Sequence, residues 1–175
     1  MKWFTGDYHL GHKAIIRICN RPWKNEKQME KEIIHNRNEL VKQDDEVWEL
    51  GDITMLGPDR RPFIESRIKQ FNGNKHLILG NHDRFNAFTY VEMGYITVHT
   101  ALKIEMRGIT FVLCHDPSVY DVVKEDSVLL CAHVHGLFDD LLPKSRVINV
   151  GVDVRDYKPI SEDEIFEILE KKGGL

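Results

Sequence analysis

Cysteine is scarce in this 175-residue chain, and Cys19, Cys114 and Cys131 are an odd number with no CxxC spacing among them. Each lies beside apolar neighbours, which predicts small buried thiols and a reducing compartment and argues against a disulfide framework. A basic excess is also missing. Lysine and arginine total 24 against 28 aspartates and glutamates, a formal net charge of −4, so no global positive field recruits nucleic acid or an anionic membrane. That balance leaves a phosphorylated substrate open, because bound cations reverse the local sign. No segment approaches the ~20 apolar residues of a membrane span. The opening stretch, MKWFTGDYHLGHK, is too polar for a secretory signal, and there are no repeats, low-complexity tracts or linkers. These absences predict a soluble, cytoplasmic protein. What is present is globular: 42% of residues are hydrophobic and 30% charged, and the length suits one domain, 1–175, with its own core.

Periodicity supplies the outline. KWFTGD (2–7) reads as a short strand. NEKQMEKEIIHNRNELVKQ (25–43) carries Met29, Ile33, Ile34, Leu40 and Val41 at helical spacing. VWEL (47–50) is a second strand, RRPFIESRIKQF a second helix, and KHLIL a third strand. Strand, helix, strand, helix, strand implies parallel pairing through helical crossovers. After Gly94 the texture changes: YITVHTALKIEM and ITFVLCH, about a turn at Arg107-Gly108, read as a hairpin or meander. SVLLCAHVH and RVINVGVDV add two strands. Ser161 with Glu164 forms a capping box before a last helix, which Gly173 stops. The expected class is α/β.

Polar residues collect where these strands end. The first runs into Asp7-Tyr8-His9, and residues two apart in an extended segment share a face. The second ends at Asp52, the third at Asn81-His82-Asp83. TFVLCH ends at His115 and LLCAHVH at His133 and His135, again two apart. Singly, each is ordinary: DxH is common, an aspartate after glycine caps, and a lone histidine is mostly structural. Together, five segments deliver carboxylate, amide or imidazole groups to strand C-termini, the edge where open α/β sheets bind ligands. Such nitrogen and oxygen donors, without cysteine, suit divalent Mn, Fe, Ni or Zn.

In that order GDYH, LGD, GNHD, CH and AHVH resemble the five signature blocks of the calcineurin-like metallophosphoesterases, and NVGVDVRDYKPIS resembles the ending of small bacterial and phage members. The resemblance spans Asp7 to His135. It implies a four-layer α/β/β/α sandwich, two mixed β-sheets flanked by helices. It also implies two divalent metal ions, with Mn placed ahead of Fe, Ni and Zn. Asp7, His9 and His135 would hold one, Asn81, His115 and His133 the other, and Asp52 would bridge them. The implied activity is phosphoesterase, with phosphodiesters or nucleotide-like small molecules ahead of phosphomonoesters. A hydroxide shared by the ions would attack phosphorus, His82 would assist the leaving group, and Asp83 would orient the His82 ring. Ala132 departs from the family, which usually has glycine there.

Several other residues admit more than one role. Arg84 is a phosphate clamp or a surface arginine, and His12 a substrate contact or a helix start. Arg17, Asn20 and Arg21 shape a phosphate or base pocket, or form a solvated loop. His35, His76 and His99 read as structural. Trp3, Trp23 and Trp48 read as core, with Trp23 the one placed to stack on a base. A nuclease would want a basic groove that the sequence does not offer, and a non-catalytic scaffold would have no need of His82 and the full ligand set.

Overall fold

The computed structural model describes residues 1–122, 126–137 and 146–173. The first half winds through β1 (Lys2–Thr5), α1 (Lys13–Ile18), α2 (Glu26–Leu40), β2 (Glu46–Glu49), α3 (Arg61–Ile68), β3 (Asn74–Ile78), α4 (Ala87–Glu92) and β4 (Thr97–His99). The expected crossovers are there: β1, β2, β3 and β4 pair in parallel. Helices α2 and α4 begin where short polar side chains accept the free N–H groups of the first turn, Asn25 from Gln28 and Asn86 from Thr89. The hairpin β5 (Ala101–Met106) and β6 (Ile109–Cys114) turns on Arg107 and Gly108, both with positive φ, the backbone that tight hairpins require. Parallel strands β7 (Val128–Cys131) and β8 (Val147–Asn149) complete the second sheet. The chain then returns through β9 (Ile160–Ser161), antiparallel to β1, and α5 (Glu162–Lys171), started by the Ser161–Glu164 capping box.

The result is two mixed sheets, ordered β4-β3-β2-β1-β9 and β5-β6-β7-β8, flanked by helices. Phe4, Leu50 and Ile78 of the first sheet meet Phe111, Leu113, Leu130 and Ile148 of the second, and Ile165, Phe166 and Leu169 of α5 pack into the same cluster. The other face of the first sheet packs Leu77 against Met29 and Ile33 of α2, Ile64 and Ile68 of α3, and Tyr90 of α4. The outer face of the second sheet carries Val112, Leu129 and Val147, with Val119 of a 3-10 turn (Pro117–Val122) against it.

Three local expectations change. α1 and α4 are helices of six residues each, too short to show a period of 3.6. β4 leaves the expected meander and extends the first sheet beside β3. The run RVINVGVDV stops being a strand at Asn149, because its side chain accepts the Gly151 N–H at 2.8 Å and the chain turns into a 3-10 segment, Val152–Val154. No helix among the described residues is long and apolar enough to cross a membrane.

Beneath the strand ends lies a buried polar network. Arg37 of α2 is 1% exposed and pairs with Glu49 of β2, which is fully buried. Arg37 also donates to the Tyr8 hydroxyl at 3.0 Å and the Asn72 carbonyl at 2.7 Å, while the Tyr95 hydroxyl donates to Glu49. A buried charge must be paired in this way or its desolvation destabilises the fold.

Candidate metal centre

The strand ends carry a concentration of strained backbone. Asp7 (φ 61°), His9 (52°), Asp52 (54°), His133 (72°) and His135 (49°) all sit in the left-handed region. They are five of the nine non-glycine residues with positive φ among the described residues. Each such residue costs on the order of 1–3 kcal/mol, and such strain persists where the surroundings over-determine it.

One group comprises Asp7, His9 and His135, with ligand atoms within 4.8 Å of one another. Asp7 is fully buried and accepts the His133 N–H at 3.0 Å. His9 is 1% exposed, and neither of its ring nitrogens has a hydrogen-bond partner. Two buried imidazole nitrogens without partners cost free energy unless something else satisfies them. A cation would. Burial drives the His9 pKa down to about 3 against the pull of Asp52, so this ring is neutral and has a lone pair to give.

The second group comprises Asp52, His115 and His133, within the same 4.8 Å limit. His115 Nδ1 lies 2.6 Å from the Leu50 carbonyl and so carries the proton. Its Nε2 then faces Asn81 Oδ1 at 3.0 Å, His133 Nδ1 at 3.2 Å and Asp52 Oδ2 at 3.5 Å. Electron-pair donors converge there, so only a ring proton or a cation can link them. Asp52 stands between the two groups, because Oδ2 is also 3.6 Å from His9 Nε2, while Oδ1 accepts the His82 N–H at 2.9 Å. The donor chemistry of both groups fits divalent cations.

Without cations, protons and charge redistribute. Burial pushes the Asp7 carboxyl up to about 6, only partly offset by His135 and His115. Burial acts upward on Asp52 as well, but the hydrogen bond and charge of His115 outweigh it and bring it to about 2. At His135 burial is downward, yet Asp153, Cys19 and Asp7 raise it to about 10.

The turn after β3 is held from below. The Asp83 carboxylate accepts the N–H groups of Gly80 (2.9 Å), Asp52 (2.8 Å) and Ile53 (3.0 Å) and the Tyr90 hydroxyl (3.0 Å). It therefore braces the Asp52 and Asn81 loops, and the expected hydrogen bond to the His82 ring is not among its contacts. Those four donors take up the carboxylate. His82 stays half-exposed, with Nε2 4.0 Å from Asp52 Oδ2 and its ring 5.7 Å from that of His9. Gly80 does not have a positive φ. Its need is room, because a Cβ there would lie 2.3 Å from Asp52 Oδ1. Gly51 (φ +84°) faces it, and a Cβ there would meet Gly80 N at 2.5 Å. Ala132 fits in the family's usual glycine position because its Cβ packs against Gly6, where an added Cβ would stand 2.8 Å away.

Around this centre, His12 lies with its ring 5.9 Å from that of His9, at the start of α1 but giving it no capping bond. Arg17 and Arg84 are exposed, and their side chains make no hydrogen bond or ion pair among the described residues. Trp23 packs edge-on to Tyr157 at 4.3 Å. Cys19, expected as a buried thiol, is half-buried beside His135 and Asp153. Asn20 is exposed, whereas Arg21, grouped with it as pocket or solvated loop, is neither: it is 4% exposed and ion-paired with Asp153 at 2.8 Å. Sequence reasoning missed three supporting residues. Asp153 accepts from His135 Nδ1 at 2.8 Å, Asn149 donates to the His135 carbonyl at 3.0 Å, and Glu30 accepts the Gly11 N–H at 2.9 Å. Only their placement in the fold marks them out.

No family model matches the chain. An uncharacterized protein of Methanocaldococcus jannaschii is 33% identical over 173 residues, 97% of this chain and 91% of that protein. A protein of unknown function from Aquifex aeolicus has a similar structure, with a TM-score of 0.77 and 27% identity over 96% of this chain and 98% of its own. An archaeal phosphodiesterase aligns with a TM-score of 0.50 and 15% identity over 86% of this chain and 82% of that one, a likeness of fold. The chain belongs to one family with the Methanocaldococcus protein, and it shares its fold of two mixed sheets flanked by helices with the archaeal phosphodiesterase.

Proposed function

We propose that the protein is a dinuclear metal-dependent phosphoesterase acting on small phosphodiesters or nucleotide-like substrates. The observation that carries this reading is Asp52 Oδ2, one buried carboxylate oxygen 3.6 Å from His9 Nε2 and 3.5 Å from His115 Nε2. A carboxylate so placed belongs to both donor sets. Asp7, His9 and His135 would hold one divalent ion, and Asn81, His115 and His133 the other, with Mn ahead of Fe, Ni or Zn. Bound ions would activate water as Lewis acids and neutralise charge on phosphoryl oxygens.

The remaining work belongs to the chain. Asp7 and Asp52 bring only two negative charges against four on the ions, so the centre attracts phosphate in an acidic protein. His82, half-exposed beside Asp52 and outside both donor groups, donates a proton to the leaving oxygen. Asp83 holds the turn that carries it. His12, Arg17 and Arg84 are the candidates for substrate contact at the rim. No lysine or arginine run offers a groove for a polynucleotide, which favours small substrates over a nuclease activity.

The test is hydrolysis of bis(p-nitrophenyl) phosphate against p-nitrophenyl phosphate by Mn-loaded protein. The diester is expected to be the better substrate. His82→Ala should lower kcat by about 10²–10⁴ with two ions still bound per chain. Parallel loss of metal would make His82 a ligand and overturn its assigned role.

A further inference from the structure

The loop after α1 sends one side chain into the centre from behind. Arg21 is 4% exposed and uses its whole guanidinium. Nε and Nη2 donate to the two oxygens of Asp153, each at 2.8 Å. Nη2 also donates to the Asp7 carbonyl at 2.7 Å, and Nη1 to the Tyr8 carbonyl at 3.0 Å. Arg21 thus ties the left-handed segment bearing Asp7 and His9 to the segment after β8. Asp153 in turn accepts from His135 Nδ1 at 2.8 Å. A carboxylate only accepts, so this contact fixes a proton on Nδ1 and leaves Nε2 as the nitrogen able to give a lone pair.

We propose that Arg21 and Asp153 form a positioning pair that sets the orientation and tautomer of His135 and couples it to Asp7 and His9. The inference rests on the metal-centre reading above and extends it to two residues outside both donor groups of that reading. The three atoms of Cys19, His135 and Asp153 also lie within 4.8 Å of one another, which raises a rival assignment of Asp153 as a ligand of its own ion. Charge decides against it. Both Asp153 oxygens already receive the Arg21 fork, and a cation on Asp153 would sit against a guanidinium. Asp153 is an anchor for His135.

The experiment titrates metal-free protein with Mn²⁺ by calorimetry, comparing wild type, Asp153→Ala, Asp153→Asn and Arg21→Lys. The melting midpoint of each metal-free variant is measured alongside. Wild type should bind two ions. Asp153→Ala should weaken one of the two binding steps by about 10–100-fold and leave the other within threefold, because Asn81, His115 and His133 do not touch Asp153. Asp153→Asn retains an oxygen acceptor for Nδ1–H and should recover part of the loss. Arg21→Lys keeps a charge but loses the fork, and should resemble Asp153→Ala in direction. Two unchanged binding steps in folded Asp153→Ala would overturn the positioning role. So would equal weakening of both steps together with a lower melting midpoint, which would mark a general structural role. Failure of wild type to bind Mn²⁺ at all would overturn the metal-centre reading itself.

Discussion

Gly80→Ala is a small perturbation aimed at the middle of the centre. The added Cβ would stand 2.3 Å from Asp52 Oδ1 and 2.4 Å from Asp52 N. Non-bonded heavy atoms want ~3.5 Å, so the two loops must part by about 1 Å. Neither moves freely. Asp52 Oδ1 holds the His82 N–H, and the Gly80 and Asp52 N–H groups share the Asp83 carboxylate. Displacement therefore falls on the carboxylate that stands between the donor groups, where metal–ligand distances tolerate only ~0.2 Å. Loss of an indirect positioning partner alone costs 10–100-fold in metal affinity, so displacing Asp52 should weaken both ions by ~100-fold or more. The overpacking should cost about 1–3 kcal/mol of stability, a drop of roughly 2–12 °C at about 2–4 °C per kcal/mol for a domain of this size. Calorimetric titration of metal-free protein with Mn²⁺, beside thermal unfolding, reads both effects. Gly57→Ala is the control, since its Cβ would meet only Asp59 Oδ1 at 3.3 Å. If folded Gly80→Ala keeps both affinities within threefold of wild type, the close packing of the two loops does not hold Asp52 in place and the argument fails.

Arg37→Met should cost about 3–5 kcal/mol in urea unfolding, because it leaves Glu49 buried without its cation, and adding Glu49→Gln should return part of that loss; a double variant no better than the single would refute the pairing account. Metal affinity should rise with pH, because Asp153, Cys19 and Asp7 overcome burial to hold His135 protonated up to about 10 in the metal-free centre, and binding must release that proton. The sign is fixed by linkage. A folded pKa above the ordinary 6.5 stabilises metal-free protein below about pH 6.5, and that stability is lost as pH rises toward 10. Calorimetry from pH 7 to 9 should show tighter binding at each step, and a flat profile would refute the assignment.

Much of this was legible before any coordinate. The parallel order of β1, β2 and β3 followed from alternating periods, and the convergence of Asp7, His9, Asp52, Asn81, His115, His133 and His135 followed from their places at strand ends. Those signals are local: a strand end and a ligand-type residue are visible within a few positions. What stayed hidden is long-range. Asp153 lies 18 residues from His135 and 132 from Arg21 in the chain, and nothing near it announces a partner. The partners of Asp83 are of this kind too: the resemblance puts it on the His82 ring, but its carboxylate accepts from three backbone N–H groups and the Tyr90 hydroxyl. The need for glycine at position 80 is also long-range, because Asp52 leaves no space for a side chain there.

These hidden residues share one physical task. Five candidate ligands stand in left-handed backbone, at a summed cost of about 5–15 kcal/mol if each costs ~1–3, comparable to the whole stability of a domain. Such loops would relax without braces. The braces are carboxylates that are not themselves assigned as ligands: half-buried Asp83 under the Asp52 and Asn81 loops, half-buried Asp153 behind His135, and buried Glu30 under Gly11, itself tied to Arg67 at 2.8 Å. A carboxylate suits the role because it accepts several N–H groups at once. Its charge matters as well. Asp153 and Glu30 are each paired with an arginine, so their field at the centre is largely cancelled. Asp83 has no such partner among the described residues and is pushed up to about 6 by burial. Divalent ions held by the neighbouring donor groups would favour its ionised form. The brace under Asp52 is thus the one that the metal itself would strengthen.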